Sequence, residues 1–264
     1  MQIKTIKTDR ILNKITRKDT LFYGDYTVDP YQNCDFGCIY CDSSYNTEVF
    51  VKTNAVELLD KKLKRLETGR IIVGSVHDPY QKAEEEYNLT RKILETIWKH
   101  GFSCHILTKS ELVLRDLDLL KKIKDSIVTI SLTSADETIS KIFEKGVASP
   151  LKRMQVVQKL RESNINAGVA VIPAIPYIVD EQIEKIIENA KKYDANYLLF
   201  KHLELRGDQK NIFFEAIKKY YPQHYSSFIK LYKDSFSPND EYLLRIKEKI
   251  SEISLRHKIK NKIF

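Results

Sequence analysis

Between residues 70 and 201 the chain repeats one pattern, a short apolar run that reads as a buried strand followed by an amphipathic stretch that reads as a helix. Strands are expected at 70–75, 104–108, 127–132, 168–173 and 197–201. Helices are expected at 55–67, 82–100, 111–122, 135–144, 150–163 and 180–192. Asn54 is placed to cap the first helix, whose Val56, Leu58, Leu59, Leu63 and Leu66 share one face. Such alternation predicts a parallel sheet with right-handed crossovers, and a binding face at the C-terminal strand ends. With the strand leading into Cys34 there are six strands. The expected fold is therefore α/β, a partial (β/α)6 TIM-like barrel open on one side. Residues 1–25 read as an N-terminal arm with a strand near 21–23, residues 26–206 as the barrel, and residues 207–264 as an aromatic-rich helical C-terminal extension packed on it.

A chain of 264 residues, 42% of them hydrophobic, is long enough for one large core of this kind. No run approaches the roughly 20 apolar residues of a membrane span. Lys4, Lys7, Arg10, Lys14, Arg17 and Lys18 punctuate the N-terminus where a signal peptide would be apolar. No membrane partner is expected, and four cysteines without a paired framework suit a reducing, cytoplasmic setting. The net charge is +8, with seven Lys/Arg against two Glu from Arg245 onward. That run reads either as a nucleic-acid-facing helix or as the solvated face of a terminal helix.

Three of the four cysteines, Cys34, Cys38 and Cys41, fall within eight residues around Gly37. Thiolates this close can converge on one metal centre, zinc or iron–sulfur, whereas an odd number of near neighbours makes poor disulfides. A closed zinc site wants four ligands, and Cys104 opens its strand at the opposite rim, so the triplet reads as an incomplete, open set. Strand-end logic then selects Ser75, His77 and Asp78, Thr108 and Lys109, Ser131 and Thr133, Pro173, and His202 and Glu204 as facing a site. His77 reads as a substrate acid/base or a neutral hydrogen-bonded histidine. His202 and Glu204, two residues apart, read as substrate ligands or as an ion pair. The tetrapeptide Asp-Pro-Tyr-Gln occurs at 29–32 and again at 78–81, both times as a turn, too short to establish duplication.

The cysteine spacing with Tyr40 before the third cysteine resembles the cluster loop of the radical S-adenosylmethionine (SAM) superfamily. The flanking Asp29-Pro30-Tyr31-Gln32-Asn33 resembles its spore photoproduct lyase-like branch, the DNA repair photolyase type. The resemblance implies that Cys34, Cys38 and Cys41 ligate a 4Fe-4S cluster whose fourth iron is chelated by SAM, and that a flavodoxin- or ferredoxin-type reductant drives cleavage to a 5'-deoxyadenosyl radical. It implies cofactor contacts from the stretch containing Ser75 and Asp78, from Lys109 in Thr108-Lys109-Ser110 with Leu114-Arg115-Asp116-Leu117, and from Ser131. Arg153, in the helix opened by Ser149-Pro150, becomes a further carboxylate partner or a solvent-facing cation, and Tyr40 an adenine-stacking ring or loop packing.

Two departures matter. The branch's lyases carry a cysteine hydrogen-atom donor three residues before an aspartate, and the count back from Asp78 reaches Ser75. The third cysteine is followed by Asp42-Ser43 where many relatives carry Tyr-Ala. The resemblance thus implies a radical SAM enzyme that abstracts a hydrogen atom, with nucleic acid as one substrate class and a small molecule, peptide or protein as the alternative. A non-enzymatic zinc- or nucleic-acid-binding protein is the rival of another class.

Overall fold

The apolar runs pair side by side, as the alternation requires. In the computed structural model, which describes residues 1–42 and 46–264, the seven strands of the main sheet include six in parallel register. Ser43 of the Asp42-Ser43 departure lies outside the described residues.

The N-terminal arm is stitched into the fold at two places. Strand β1 (Gln2–Ile6) and the antiparallel edge strand β2 (Leu12–Lys14) precede β3 (Tyr26–Val28), the first parallel strand. Then β4 (Tyr31–Gln32) and β5 (Glu48–Lys52) join β1 in a small second sheet ordered β1-β5-β4. The strand expected near 21–23 does not form: Asp19 accepts the amides of Leu21, Phe22 and Gly24, folding this apolar stretch into a turn.

Helix α1 (Ala55–Leu63) is shorter than expected and lacks the predicted cap. The Asn54 side chain instead makes a two-way bond with the Thr8 backbone, 3.0 and 2.9 Å, pinning the arm to the barrel. After β6 (Arg70–Val73), the single helix expected at 82–100 is broken into α2 (Ala83–Tyr87) and α3 (Leu89–Lys99) by Asn88 at φ 50°. Strand β7 (Ser103–Thr108) leads into a 3₁₀ turn, Glu111–Asp116, and a single turn α4 (Leu117–Leu120). In place of the regular helix expected there, Arg115 and Asp116 join an ion network with Glu84 and Arg91 whose two carboxylates are buried.

The repeat continues with β8 (Ile127–Ser131), α5 (Glu137–Phe143), α6 (Pro150–Glu162), β9 (Asn166–Ala174), α7 (Ile183–Lys192) and β10 (Leu198–His202). Asp136 caps α5 and Ser149 caps α6, with Pro150 at its first position. The sheet order β10-β9-β8-β7-β6-β3-β2 has parallel neighbours from β3 to β10, the open partial barrel the sequence predicts. Three further helices, α8 (Asp208–Tyr220), α9 (Pro222–Leu231) and α10 (Asp240–Arg256), form the C-terminal extension, their aromatic side chains packed on one another around Phe228.

The end of the chain does not approach the binding face. Leu198 at the start of β10 donates to the Lys260 carbonyl, Ile263 is buried against Tyr197, and Phe264 meets Tyr23 edge-on. With Leu21 and Phe22 these residues floor the barrel at the N-terminal strand ends. Above them His105 spans from the Phe22 carbonyl (2.8 Å) to Thr129 (2.6 Å), whose hydroxyl meets the Tyr197 hydroxyl (2.6 Å). Part of the C-terminal basic run is occupied locally. Lys249 donates to the Asp180 carbonyl, and Arg256 pairs with Glu184.

Candidate active site

The cysteine loop is shaped by two glycines and held by its neighbours. Gly37 sits at φ 60°, a conformation a side chain would strain. Gly146 donates to the Phe36 carbonyl at 2.9 Å, and a Cβ on Gly146 would lie 2.7 Å from that oxygen. Ile39 bonds back to Phe143, Cys38 bridges to Glu144, and Gln209 at the start of α8 donates to the Ile39 carbonyl. The end of α5 and the beginning of α8 therefore clamp the loop from two sides.

The three thiols line one cavity of about 450 Å³ at the C-terminal strand ends, the size of a small-ligand site. Across from them the same cavity is lined by Ser75, His77 and Asp78 beyond β6, Lys109 beyond β7 and Ser131 at the end of β8. Lys201 and His202 at the end of β10, and Glu204 and Arg206 just beyond it, lie along its wall. Cys104 stands apart: it pairs with Ile71 in the sheet, is buried in the helix-side core, and does not line the cavity.

Burial pushes the Cys38 thiol up to about 12 and the Cys34 thiol higher still, so without a metal both stay protonated at neutral pH. A bound metal would have to displace those protons. Burial works against the charge on Lys109, but Cys38, Glu144 and Asp78 around it hold its pKa above the usual lysine range. Its ammonium lies 6.0 Å from the Tyr40 ring centroid. A cation held charged beside three soft thiols, with hydroxyls opposite, suits an iron–sulfur cluster with a carboxylate-bearing small molecule beside it.

Other expected site residues take definite places. Tyr40 is buried, gives its hydroxyl to Glu144, has the Thr133 hydroxyl 3.1 Å from its oxygen and still lines the cavity. Asp78 has both carboxylate oxygens engaged, one by the Thr108 hydroxyl (2.7 Å) and the Tyr80 amide (2.9 Å), the other by the Lys109 amide (2.7 Å). Burial raises its pKa against these donors. His77 and His202 are half-buried, and burial lowers the pKa of each, favouring the neutral ring. His202 Nε2 lies 3.0 Å from the Ser237 hydroxyl and 3.8 Å from Glu204. Burial opposes the charge on Glu204, but Lys201 at 3.0 Å and Arg206 at 3.2 Å hold its pKa below the usual range.

Arg153 is the residue whose expected position changes. Neither solvent-facing nor in the cavity, its guanidinium is buried behind the strand end, bonded to the Ser131 carbonyl (2.8 Å), Ser140 (2.9 Å) and Glu144 (2.6 Å). Its carboxylate partner is the protein's own Glu144. Burial works against that carboxylate's charge, yet Arg153 and Lys109 keep it ionised, its pKa below the usual range. Sequence reasoning missed Glu144, which no motif marked, and Asp29, which carries the first Asp-Pro-Tyr-Gln copy. Asp29 accepts the Ser75 hydroxyl at 2.7 Å.

An open parallel barrel with a three-thiol loop at its C-terminal mouth defines a cofactor-dependent α/β barrel enzyme, and the comparisons say which. The sequence model of the radical SAM superfamily matches residues 28–190, and the chain belongs to that superfamily. It is a radical SAM enzyme, whose class uses SAM and an iron–sulfur cluster and needs a source of electrons. It is 31% identical over 210 residues to an uncharacterized protein of Methanocaldococcus jannaschii, covering 76% of this chain and 78% of that one. An uncharacterized protein of Mycobacterium tuberculosis is 26% identical over 94% of this chain and 78% of its own length. The fold is that of spore photoproduct lyase. A cysteine-to-serine mutant of that enzyme superposes with TM-score 0.73 at 15% identity, covering 97% of this chain and 79% of the other. The lyase complexed with dinucleoside spore photoproduct gives 0.71 at 14%, with the same coverage. No described helix is long and apolar enough to cross a membrane.

Proposed function

We propose that Cys34, Cys38 and Cys41 hold a 4Fe-4S cluster and that SAM lies beside it, against Ser75, Lys109, Ser131 and the face of Tyr40. The observation that carries this reading is the single cavity shared by the three thiols and the cationic Lys109. When bound, the pair supplies a 5'-deoxyadenosyl radical by reductive cleavage of SAM, which abstracts a hydrogen atom from a substrate. Around them the chain's own groups have separate tasks. Lys109 offers a flexible cationic head to a carboxylate. Ser75 and Ser131 offer hydroxyl oxygens, and the apolar walls from Phe36, Leu107 and Ile172 keep water away from reactive species.

The substrate would enter at the β10 side of the mouth, where His202 and Glu204 are candidates to bind it, with His77 beyond β6 as a further candidate. Nucleic acid is one class, in keeping with the fold of a lyase solved with a dinucleoside photoproduct. Modification of a small molecule or a peptide is the second, and one observation favours it: Ser75, standing where a repair lyase keeps its thiol, has its hydroxyl proton committed to Asp29. A cytoplasmic, low-oxygen setting and a flavodoxin- or ferredoxin-type electron donor complete the proposal. Metal and sulfide analysis after anaerobic purification tests it. About four irons with matching sulfide per chain supports the cluster, whereas about one zinc without sulfide supports the binding-protein alternative.

A further inference from the structure

The two Asp-Pro-Tyr-Gln segments do the same job one strand apart. Asp29 follows β3 and reaches the end of the adjacent strand β6: Oδ2 accepts the Ser75 hydroxyl at 2.7 Å, and Oδ1 accepts the amides of Val76 (2.9 Å) and His77 (3.3 Å). Asp78 follows β6 and reaches the end of the adjacent strand β7, taking the Thr108 hydroxyl and the Lys109 amide, both at 2.7 Å. The tyrosines match as well. Tyr31 donates to Glu84 and Tyr80 to Asp116, two carboxylates that Arg115 bridges. Each copy thus fixes, from one strand, the polar groups that the next strand presents to the cavity.

The consequence at Ser75 is chemical. A serine hydroxyl has one proton and two lone pairs. With the proton on a carboxylate, the oxygen can offer the cavity only lone pairs, polarised by the charge behind it. A ligand atom at Ser75 must then be a donor.

We propose that Asp29 is a positioning residue for the cofactor site: by holding the Ser75 proton it makes Ser75 an obligate acceptor for an N–H of the ligand's amino group. This rests on the reading of the cavity as a SAM site. Asp29 touches no ligand itself and acts through the serine oxygen.

Equilibrium binding of SAM to the anaerobic, cluster-loaded protein tests this, read by dialysis and by the SAM-induced change in the electron paramagnetic resonance spectrum of the reduced cluster. The proteins compared are wild type, Asp29→Asn, Ser75→Ala and the double variant. Asparagine can donate to Ser75 and turn its proton toward the cavity. The expected result is that each single variant weakens SAM binding about tenfold, as for one hydrogen bond, with iron content unchanged. The double variant should be no weaker than Ser75→Ala, because both changes remove the same interaction. Two independent tenfold losses that multiply, or an Asp29→Asn affinity equal to wild type, overturn the proposal and leave the SAM site standing. A wild-type protein that takes up a cluster but binds no SAM overturns the underlying reading and this proposal together. If Asp29→Asn fails to fold, Ser75→Ala alone decides, since unchanged affinity there contradicts any action of Asp29 through Ser75.

Discussion

Glu144 and Arg153 form a fully buried ion pair, Nη2 to Oε2 at 2.6 Å, directly behind the cysteine loop. The same carboxylate accepts the Tyr40 and Thr133 hydroxyls, and the residue's backbone bridges to Cys38. Burying two charges is costly, and the pair is sustained because its oxygens meet several donors. Removing one partner leaves the other charged and unmatched. Arg153→Met is therefore expected to destabilise the fold by about 3–5 kcal/mol in urea unfolding. The loss should be accompanied by reduced iron uptake, because Tyr40 and Cys38 share the Glu144 anchor.

The cysteines separate by position. Cys34→Ala, Cys38→Ala or Cys41→Ala is expected to abolish iron and sulfide retention, whereas Cys104→Ala, outside the cavity, should keep about four irons. Iron and sulfide assays on anaerobically purified variants check this. Loss of the cluster in Cys104→Ala with wild-type stability would contradict the assignment.

His105 gives the fold an acid sensitivity with a definite sign. Its ring is buried and neutral, bonded to Phe22 and Thr129, and burial lowers its pKa from the usual 6.5 to about 4. Below 6.5 the unfolded chain takes up a proton that the folded ring refuses, so stability present above 6.5 is lost as pH falls toward 4. From pH 7 to pH 5 this one group is expected to remove about 2 kcal/mol. Urea unfolding at both pH values should show that loss in the wild type, and a loss smaller by about that amount in His105→Gln.

The tail of the chain floors the barrel, far from the mouth. Deleting residues 263–264 uncovers the Ile263 and Phe264 contacts with Tyr197 and Tyr23 and is expected to cost about 2–4 kcal/mol. Changing Lys258, Lys260 and Lys262 together to Gln should leave SAM cleavage unaltered. It should also leave unaltered the salt dependence of any nucleic acid binding at the mouth, measured by titration at several salt concentrations.

How much of this was legible in the chain follows from which forces are local. The strand-helix alternation predicts six parallel strands, and six form, because buried parallel strands are continuous apolar runs. Strand-end reasoning brought His77, Lys109, Ser131, His202 and Glu204 to one cavity, because alternation and strand ends are fixed by period alone. What failed depended on distant partners. Leu21, Phe22 and Tyr23 look like a strand, but the barrel floor needed a plug, and Asp19 bent them into it. In place of the helix at 111–122, Arg115 and Asp116 engage the charges of Glu84 and Arg91. Arg153 looked like a surface cation in a Lys-rich helix because its partner, Glu144, carries no motif of its own. The second Asp-Pro-Tyr-Gln was visible as a repeat, yet its meaning required knowing that β3, β6 and β7 are neighbours.

The central claim is that this barrel mouth carries out reductive SAM cleavage, and the most direct measurement is release of 5'-deoxyadenosine. The anaerobically reconstituted protein, given SAM and a strong reductant, is expected to release 5'-deoxyadenosine and methionine in equal amounts, and Cys38→Ala to release neither. No 5'-deoxyadenosine from a wild-type protein carrying about four reducible irons per chain would contradict the account.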